Sequence, residues 1–198
     1  MATSNNKTVD FYFDFGSPAT YVAWARLPAV TKQHNAQINW KPMLLGAIFK
    51  ATGNQSPAFI PAKGKYTTLD LGRFAKKYGV ELNFNPFFPI NTLYLMRGAV
   101  AYLNTAHFHT YMNAIFTAMW VDKKDMNSPE VVADVIATAG LNLAEFQKNI
   151  ENGEVKETLK AISNEAIERG VFGAPTFFVG EQMFFGQDRL DWVADALS

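Results

Sequence analysis

The 198-residue chain contains no cysteine, so it can hold no disulfide, no thiolate metal site and no cysteine nucleophile. A dithiol oxidoreductase is excluded for the same reason. It also lacks an excess of charge of either sign: 18 Lys and Arg balance 18 Asp and Glu. The electrostatic footprint that non-specific nucleic-acid binding requires is therefore missing. No apolar run approaches the roughly 20 residues of a membrane-spanning helix. The stretch Met1 to Asp10 is polar with no apolar signal core, so secretion by that route is not expected and the cytoplasm is the expected compartment. Histidine is scarce, and His107 and His109 stand two apart, an offset that points them at different angles on a helix and makes a poor metal pair. No glycine-rich phosphate loop occurs. What the chain does have is apolar material for one large domain or a small domain with an insertion: 48% hydrophobic residues, with 17 Phe and 4 Trp.

The order of elements follows from periodicity. Val9 to Phe15 alternates and reads as a first strand. Ser17-Pro18 then opens a helix from about Ala19 to His34, with Ser17 at the N-cap, and Pro28 is expected to kink or shorten it. Gln37 to Leu44 reads as a second strand, parallel to the first. Residues 46–64 look mostly like loop, with a short helix near Ala47 to Thr52. A helix over Thr68 to Tyr78 and an irregular, proline-broken Asn83 to Pro89 follow. Further helices present Met96, Ala99, Val100 and Leu103, then Tyr111, Ile115, Ala118 and Met119. Two more carry Val131, Val132, Val135 and Ile136, then Val155, Leu159, Ile162 and Ala166. Thr176 to Val179 and Gln182 to Phe185 form a hairpin through Gly180-Glu181. Asp188 is expected to cap a last helix with Leu190, Val193 and Leu197 inward. The sum is an α/β, thioredoxin-like arrangement: βαβ, a helical block, then ββα around a four-stranded mixed sheet. Residues 1–45 and 160–198 would form one discontinuous domain, interrupted by an all-helical insertion of residues 46–159.

Two patterns point to a site. Phe172-Gly173-Ala174-Pro175-Thr176 places a proline just before a strand, where thioredoxin-like folds hold a cis-proline. The backbone N–H and C=O of Ala174 would then be free to pair with an extended peptide. Pro175 could instead merely begin an edge strand in trans. Ser17 sits where a thioredoxin carries its first active-site cysteine. As a plain helix cap it needs no function, yet free N–H groups and the helix dipole at that end stabilise a thiolate. In a chain without cysteine, that thiolate must belong to a ligand. A peptide-like thiol such as glutathione satisfies both positions at once.

These residues resemble the kappa-class glutathione transferases and their bacterial relatives, the 2-hydroxychromene-2-carboxylate isomerases. The likeness is carried by Phe11 to Pro18, by Phe172 to Phe178 and by Phe184 to Leu190. In the middle, Lys41-Pro42, Gly53-Asn54, Pro61 to Gly64 and Pro89 to Thr92 carry it further. The resemblance implies a glutathione cofactor and a small aromatic substrate. Ser17 would hydrogen-bond the sulfur, Ala174 would pair with the cysteinyl backbone, and Gln187 and Asp188 would hold the γ-glutamyl end beside Phe185 and Gly186. Asn54 and Lys63 would reach the glycyl end or the neighbouring substrate, Lys50 the substrate carboxylate, and Asn91 a further substrate group. The plainer alternative makes Asp188 only a cap and Lys50 and Lys63 only solvated side chains. The implied activity is a glutathione-dependent isomerase of aromatic catabolism, in which the thiolate adds to an aryl-pyruvate double bond and lets it rotate. A kappa-class transferase acting on aromatic electrophiles is the close alternative, and a non-catalytic thiol- or peptide-binding module is the alternative of another class. A homodimer is also implied, in keeping with apolar surface and little self-repulsion.

Overall fold

The structure, a computed structural model, describes residues 7–198. Residues 1–6, part of the polar stretch that argued against a secretion signal, lie outside the described residues. Among the described residues no helix is long and apolar enough to cross a membrane.

Strand β1 (Thr8–Phe13) is followed by α1 (Pro18–Gln33) and β2 (Gln37–Pro42). Both strands are shorter than their alternating stretches suggest, because Asp14 and Met43 already turn away from the sheet into the loops that build the site. Helix α1 begins as its sequence dictates, with Ser17 at the N-cap and Pro18 in the first turn. It runs through Pro28 without shortening. A helical block follows: α2 (Leu45–Thr52), a 3-10 turn at Pro57–Phe59, and α3 (Pro61–Tyr78), then α4 (Leu93–Tyr102) and α5 (Phe108–Trp120). After these come α6 (Pro129–Thr138), α7 (Leu143–Glu151) and α8 (Gly153–Glu168). Helix α3 starts earlier than expected, at Pro61, a residue suited to the first helical turn. Helix α7 was not anticipated at all. It buries only Phe146, so its apolar stripe is short, and the Asn142 side-chain cap on Glu145 N defines its start. The chain closes with β3 (Thr176–Val179), β4 (Gln182–Phe185), a 3-10 turn at Gln187–Arg189 and α9 (Leu190–Ala196).

The sheet order is β2-β1-β3-β4, with β1 parallel to β2 and antiparallel to β3. This is the thioredoxin fold read from the element order. Phe11 pairs across with Phe177, their rings stacked 5.1 Å apart, which fixes the register by aromatic packing. Alternation along β1 then sends Val9, Phe11 and Phe13 to one face and Tyr12 to the other. The first face packs on α1, α9 and the helical block in one continuous core. The second, with Met43, Ile48, Ala166, Val171 and Phe178, packs under α2 and α8. On that side Tyr12 donates to Glu165 at 2.6 Å, and Glu165 also receives Lys41 at 3.0 Å. Against its partial burial, the Tyr12 hydrogen bond first and then the Lys41 and Arg169 cations hold the Glu165 carboxyl below its ordinary range.

Close packing inside the helical block depends on Gly98 of α4. A β-carbon there would overlap the Tyr111 hydroxyl and come within 2.8 Å of Phe146. Tyr111 cannot withdraw, because it is buried and donates to Leu95 O at 2.7 Å. Gly98→Ala should therefore destabilise the protein by about 1–3 kcal/mol, although alanine is the better helix former. A melting temperature equal to or above that of the parent would contradict this packing.

Candidate functional site

The site is assembled from loops at the C-terminal ends of β1 and β2 and from the turn before β3. The Ser17 side chain, largely buried, accepts a hydrogen bond from Thr20 N at 3.1 Å and so completes the first turn of α1. Its hydroxyl proton goes elsewhere: Ser17 Oγ donates to Ala174 O at 3.0 Å. The Ala174–Pro175 bond is cis, as the proline-before-strand pattern indicated. One expectation is corrected here. The Ala174 carbonyl is not free but is held by Ser17, because one hydroxyl can cap a helix and donate at the same time. The Ala174 N–H has no partner among the described residues.

Two further bonds lock this corner. Gly186 N donates to Pro175 O at 3.0 Å, which ties the Gln187–Arg189 turn to the cis-proline loop. Gly186 has φ 109°, a conformation side chains rarely adopt, and a β-carbon there would sit 2.6 Å from Asp188 Oδ1. Asn54 Nδ2, just beyond the C-terminus of α2, donates to Phe172 O at 2.8 Å. Asp188 does not cap the last helix. The N-cap position of α9 is Arg189, and Asp188 Oδ2 instead pairs with Arg189 Nη1 at 2.6 Å. That leaves Oδ1 without a donor among the described residues.

A cleft of about 1240 Å³ opens over these groups. Ser17, Ala174, Phe185, Gly186, Gln187, Asp188, Asn54 and Lys63 all line it, so eight of the ten residues singled out in the sequence converge. Lys50 and Asn91 do not. Lys50 is exposed on α2, and its neighbour Phe49 faces the cleft instead, since consecutive residues on a helix point about 100° apart. Asn91 serves the backbone: its Oδ1 accepts from Leu93 N at 3.1 Å at the start of α4. The apolar wall is built from Phe84, Phe88, Ile90 and Trp120, whereas Phe87 faces away from it. Lys63 and Lys65 of α3 reach the opposite wall with no ion-pair partner among the described residues.

The sequence reading missed Asp14. This carboxylate is buried at the cleft floor and accepts from Gly16 N at 2.8 Å, from Leu45 N at 2.8 Å and from the Thr92 side chain. Gly16 precedes the N-cap of α1, Leu45 opens α2 and Thr92 is the N-cap of α4, so Asp14 ties together the starts of three helices. Among the described residues no cation pairs with it, and burial pushes its pKa up despite the three donors. The available signal was an acidic residue at the end of an otherwise aromatic strand. Trp120 was also unforeseen: its indole N–H donates to Phe15 O at 2.8 Å and carries α5 to the cleft wall.

Sequence and fold are both similar to those of known proteins. A family model for the DSBA-like thioredoxin domain matches residues 8–198. The chain is 32% identical to a 2-hydroxychromene-2-carboxylate isomerase of Sphingobium xenophagum, over 96% of this chain and 98% of that one. It is 26% identical to glutathione S-transferase kappa 1 of Homo sapiens, over 96% and 91%. A solved structure of 2-hydroxychromene-2-carboxylate isomerase superposes with a TM-score of 0.86 at 30% identity, covering 96% of this chain and 94% of that one. A probable DsbA oxidoreductase of Streptomyces coelicolor follows the same fold at 17% identity, with a TM-score of 0.74.

Proposed function

The chain belongs to the DSBA-like thioredoxin family, and within it to the group of the 2-hydroxychromene-2-carboxylate isomerases and kappa glutathione transferases, a group of enzymes. From that premise we propose that it is a glutathione-dependent isomerase of the 2-hydroxychromene-2-carboxylate type. The observation that carries this reading is the Ser17 hydroxyl at the N-terminus of α1, 3.0 Å from the carbonyl before the cis-proline.

The donor set suits a γ-glutamyl-cysteinyl-glycine. The unpartnered Ala174 N–H suits a peptide carbonyl, Asp188 Oδ1 suits the α-ammonium, and Lys63 suits a carboxylate. When bound, glutathione supplies a nucleophilic thiolate able to add reversibly to a conjugated double bond. Ser17 donates a hydrogen bond to the sulfur and, with the Ala19 N–H in the first turn of α1 and the dipole of that helix, favours its ionised form. Phe84, Phe88, Ile90 and Trp120 offer an apolar, aromatic wall that holds the substrate ring away from water. With Lys63 on the glutathione carboxylate, Lys65 takes the substrate-anchoring role that Lys50, lying off the cleft, does not fill. We read the protein as a cytoplasmic homodimer; exposed Leu69, Tyr94 and Trp192, which lie outside the cleft lining, support the pairing.

The transferase reading has one observation in its favour, the apolar Phe49 on the wall where a cation was expected. A single assay separates the readings. The isomerase should convert 2-hydroxychromene-2-carboxylate with substoichiometric glutathione and no net loss of thiol. Stoichiometric thiol consumption with a halogenated aromatic, and no isomerised product, would assign the transferase. Absence of glutathione binding by calorimetry would leave a thiol- or peptide-binding module of another kind.

A further inference from the structure

The Ser17 hydroxyl has one proton and two claimants. In the structure it is given to Ala174 O at 3.0 Å, while the oxygen's acceptor role is taken by Thr20 N at 3.1 Å. A sulfur at the end of α1 can therefore receive a hydrogen bond from Ser17 only if Ser17 lets go of Ala174 O. That carbonyl is part-buried, and leaving it without a donor is costly. A donor from the cleft, either water or a group of the ligand itself, has to take the place of the hydroxyl, and only the second ties the release of Ser17 to the ligand's identity.

We propose that Ser17 is a two-position donor, switched from Ala174 O to the ligand's sulfur when a backbone amide N–H of the ligand itself docks on Ala174 O. The inference rests on the glutathione reading above and deepens it by naming what the site selects: a thiol whose own residue carries an acylated amide nitrogen. In glutathione that donor is the cysteinyl N–H. Recognition of the peptide backbone and ionisation of its thiol become one event. The thiol proton leaves to water, the Ser17 O–H turns to the sulfur, and the peptide N–H replaces it on Ala174 O. A small thiol without that N–H can enter the cleft, but it meets a serine still engaged elsewhere. The switch thus keeps the site from activating unrelated thiols.

The test changes one group of the ligand. Glutathione is compared with its depsipeptide analogue, in which an ester oxygen replaces the cysteinyl N–H. Both ligands face the same charged groups of the cleft: Asp14 on the floor, Lys63, Lys65 and Asp70 on α3, and Asp188 and Arg189 in the turn before α9. Those contributions cancel in the comparison. Binding is followed by calorimetry and ionisation by the ultraviolet absorbance of the bound thiolate against pH. Bound glutathione should titrate about one to two pH units below the free thiol, the size of one charge-assisted hydrogen bond. The bound depsipeptide should titrate close to its free value, and its affinity should fall about ten- to a hundredfold.

Equal depression for both ligands would overturn the switch while leaving glutathione as the cofactor. A depsipeptide that fails to bind at millimolar concentration would also overturn it, because losing one N–H contact leaves the ligand bindable. Failure of glutathione itself to bind, or to show any depression, would overturn the functional reading and the switch together.

Discussion

Ser17→Ala should leave the fold in place and cut turnover at neutral pH by about ten- to a hundredfold. Two consequences of one missing oxygen have to be weighed. The first is structural: Thr20 N loses its cap acceptor, which costs about 1 kcal/mol, and Ala174 O loses its donor, which costs about 1–3 kcal/mol. A packed chain with the continuous core described above should survive that. The second is chemical. Without the hydroxyl, the ligand's thiolate keeps only the helix-end N–H groups, and one charge-assisted hydrogen bond is worth about 1.5–3 kcal/mol. That corresponds to one or two pH units of thiol ionisation, at about 1.4 kcal/mol per unit. The loss should therefore shrink when activity is measured at pH 9, where the thiol ionises unaided. A general folding defect would not recover in this way. Thiolate absorbance of bound glutathione gives the direct check, and a titration curve unchanged in the variant would remove Ser17 from the mechanism.

The parts of this site that were legible in the sequence are those where local chemistry and position coincide. Ser17-Pro18 announces a helix start whatever the tertiary structure, and Pro175 before a four-residue apolar strand announces the loop that faces it. The aromatic alternation of β1 likewise fixes which face of the sheet is buried. Lys50 shows where such reasoning ends. A one-residue change of phase on a short helix moves a side chain off the cleft, and no motif encodes that phase; packing of Ile48 into the second core sets it. Asn91 lies outside the cleft lining for a related reason, since an asparagine before a helix serves the backbone as readily as a ligand. Asp188 errs the other way, because a neighbouring arginine competes for the carboxylate that could have capped α9. Asp14 could not be read because its three donors come from residues 16, 45 and 92, brought together only by the fold.

Asp14 should accordingly be among the most sensitive positions in the chain. Asp14→Ala removes the acceptor for Gly16 N, Leu45 N and the Thr92 side chain at once, and should destabilise the protein by about 3–5 kcal/mol. Asp14→Asn is milder and more informative. Its amide has one acceptor oxygen, so one N–H is left facing an NH2 group, costing about 1–3 kcal/mol in acid. The pH dependence then has a definite sign. Burial raises the folded-state pKa of Asp14 above its ordinary value of 3.8, so between those two values the native protein binds the proton that the unfolded chain has released. Stability from this group is therefore full in acid and declines as pH rises through that window. The asparagine carries no such titration. Its deficit relative to the parent should narrow as pH rises, by about 1.4 kcal/mol for each unit by which the pKa is raised. Glu165, held below its ordinary range, behaves oppositely and loses its contribution as pH falls, but it is present in both proteins and cancels in the difference. Chemical denaturation of both proteins from pH 4 to 8 measures this directly. A deficit that widens with pH would mean that the three donors stabilise the ionised carboxylate more than burial opposes it. Asp14 would then be a stabilising anion under the thiol site, not one whose charge the fold tolerates in order to hold Gly16 and Leu45 in place.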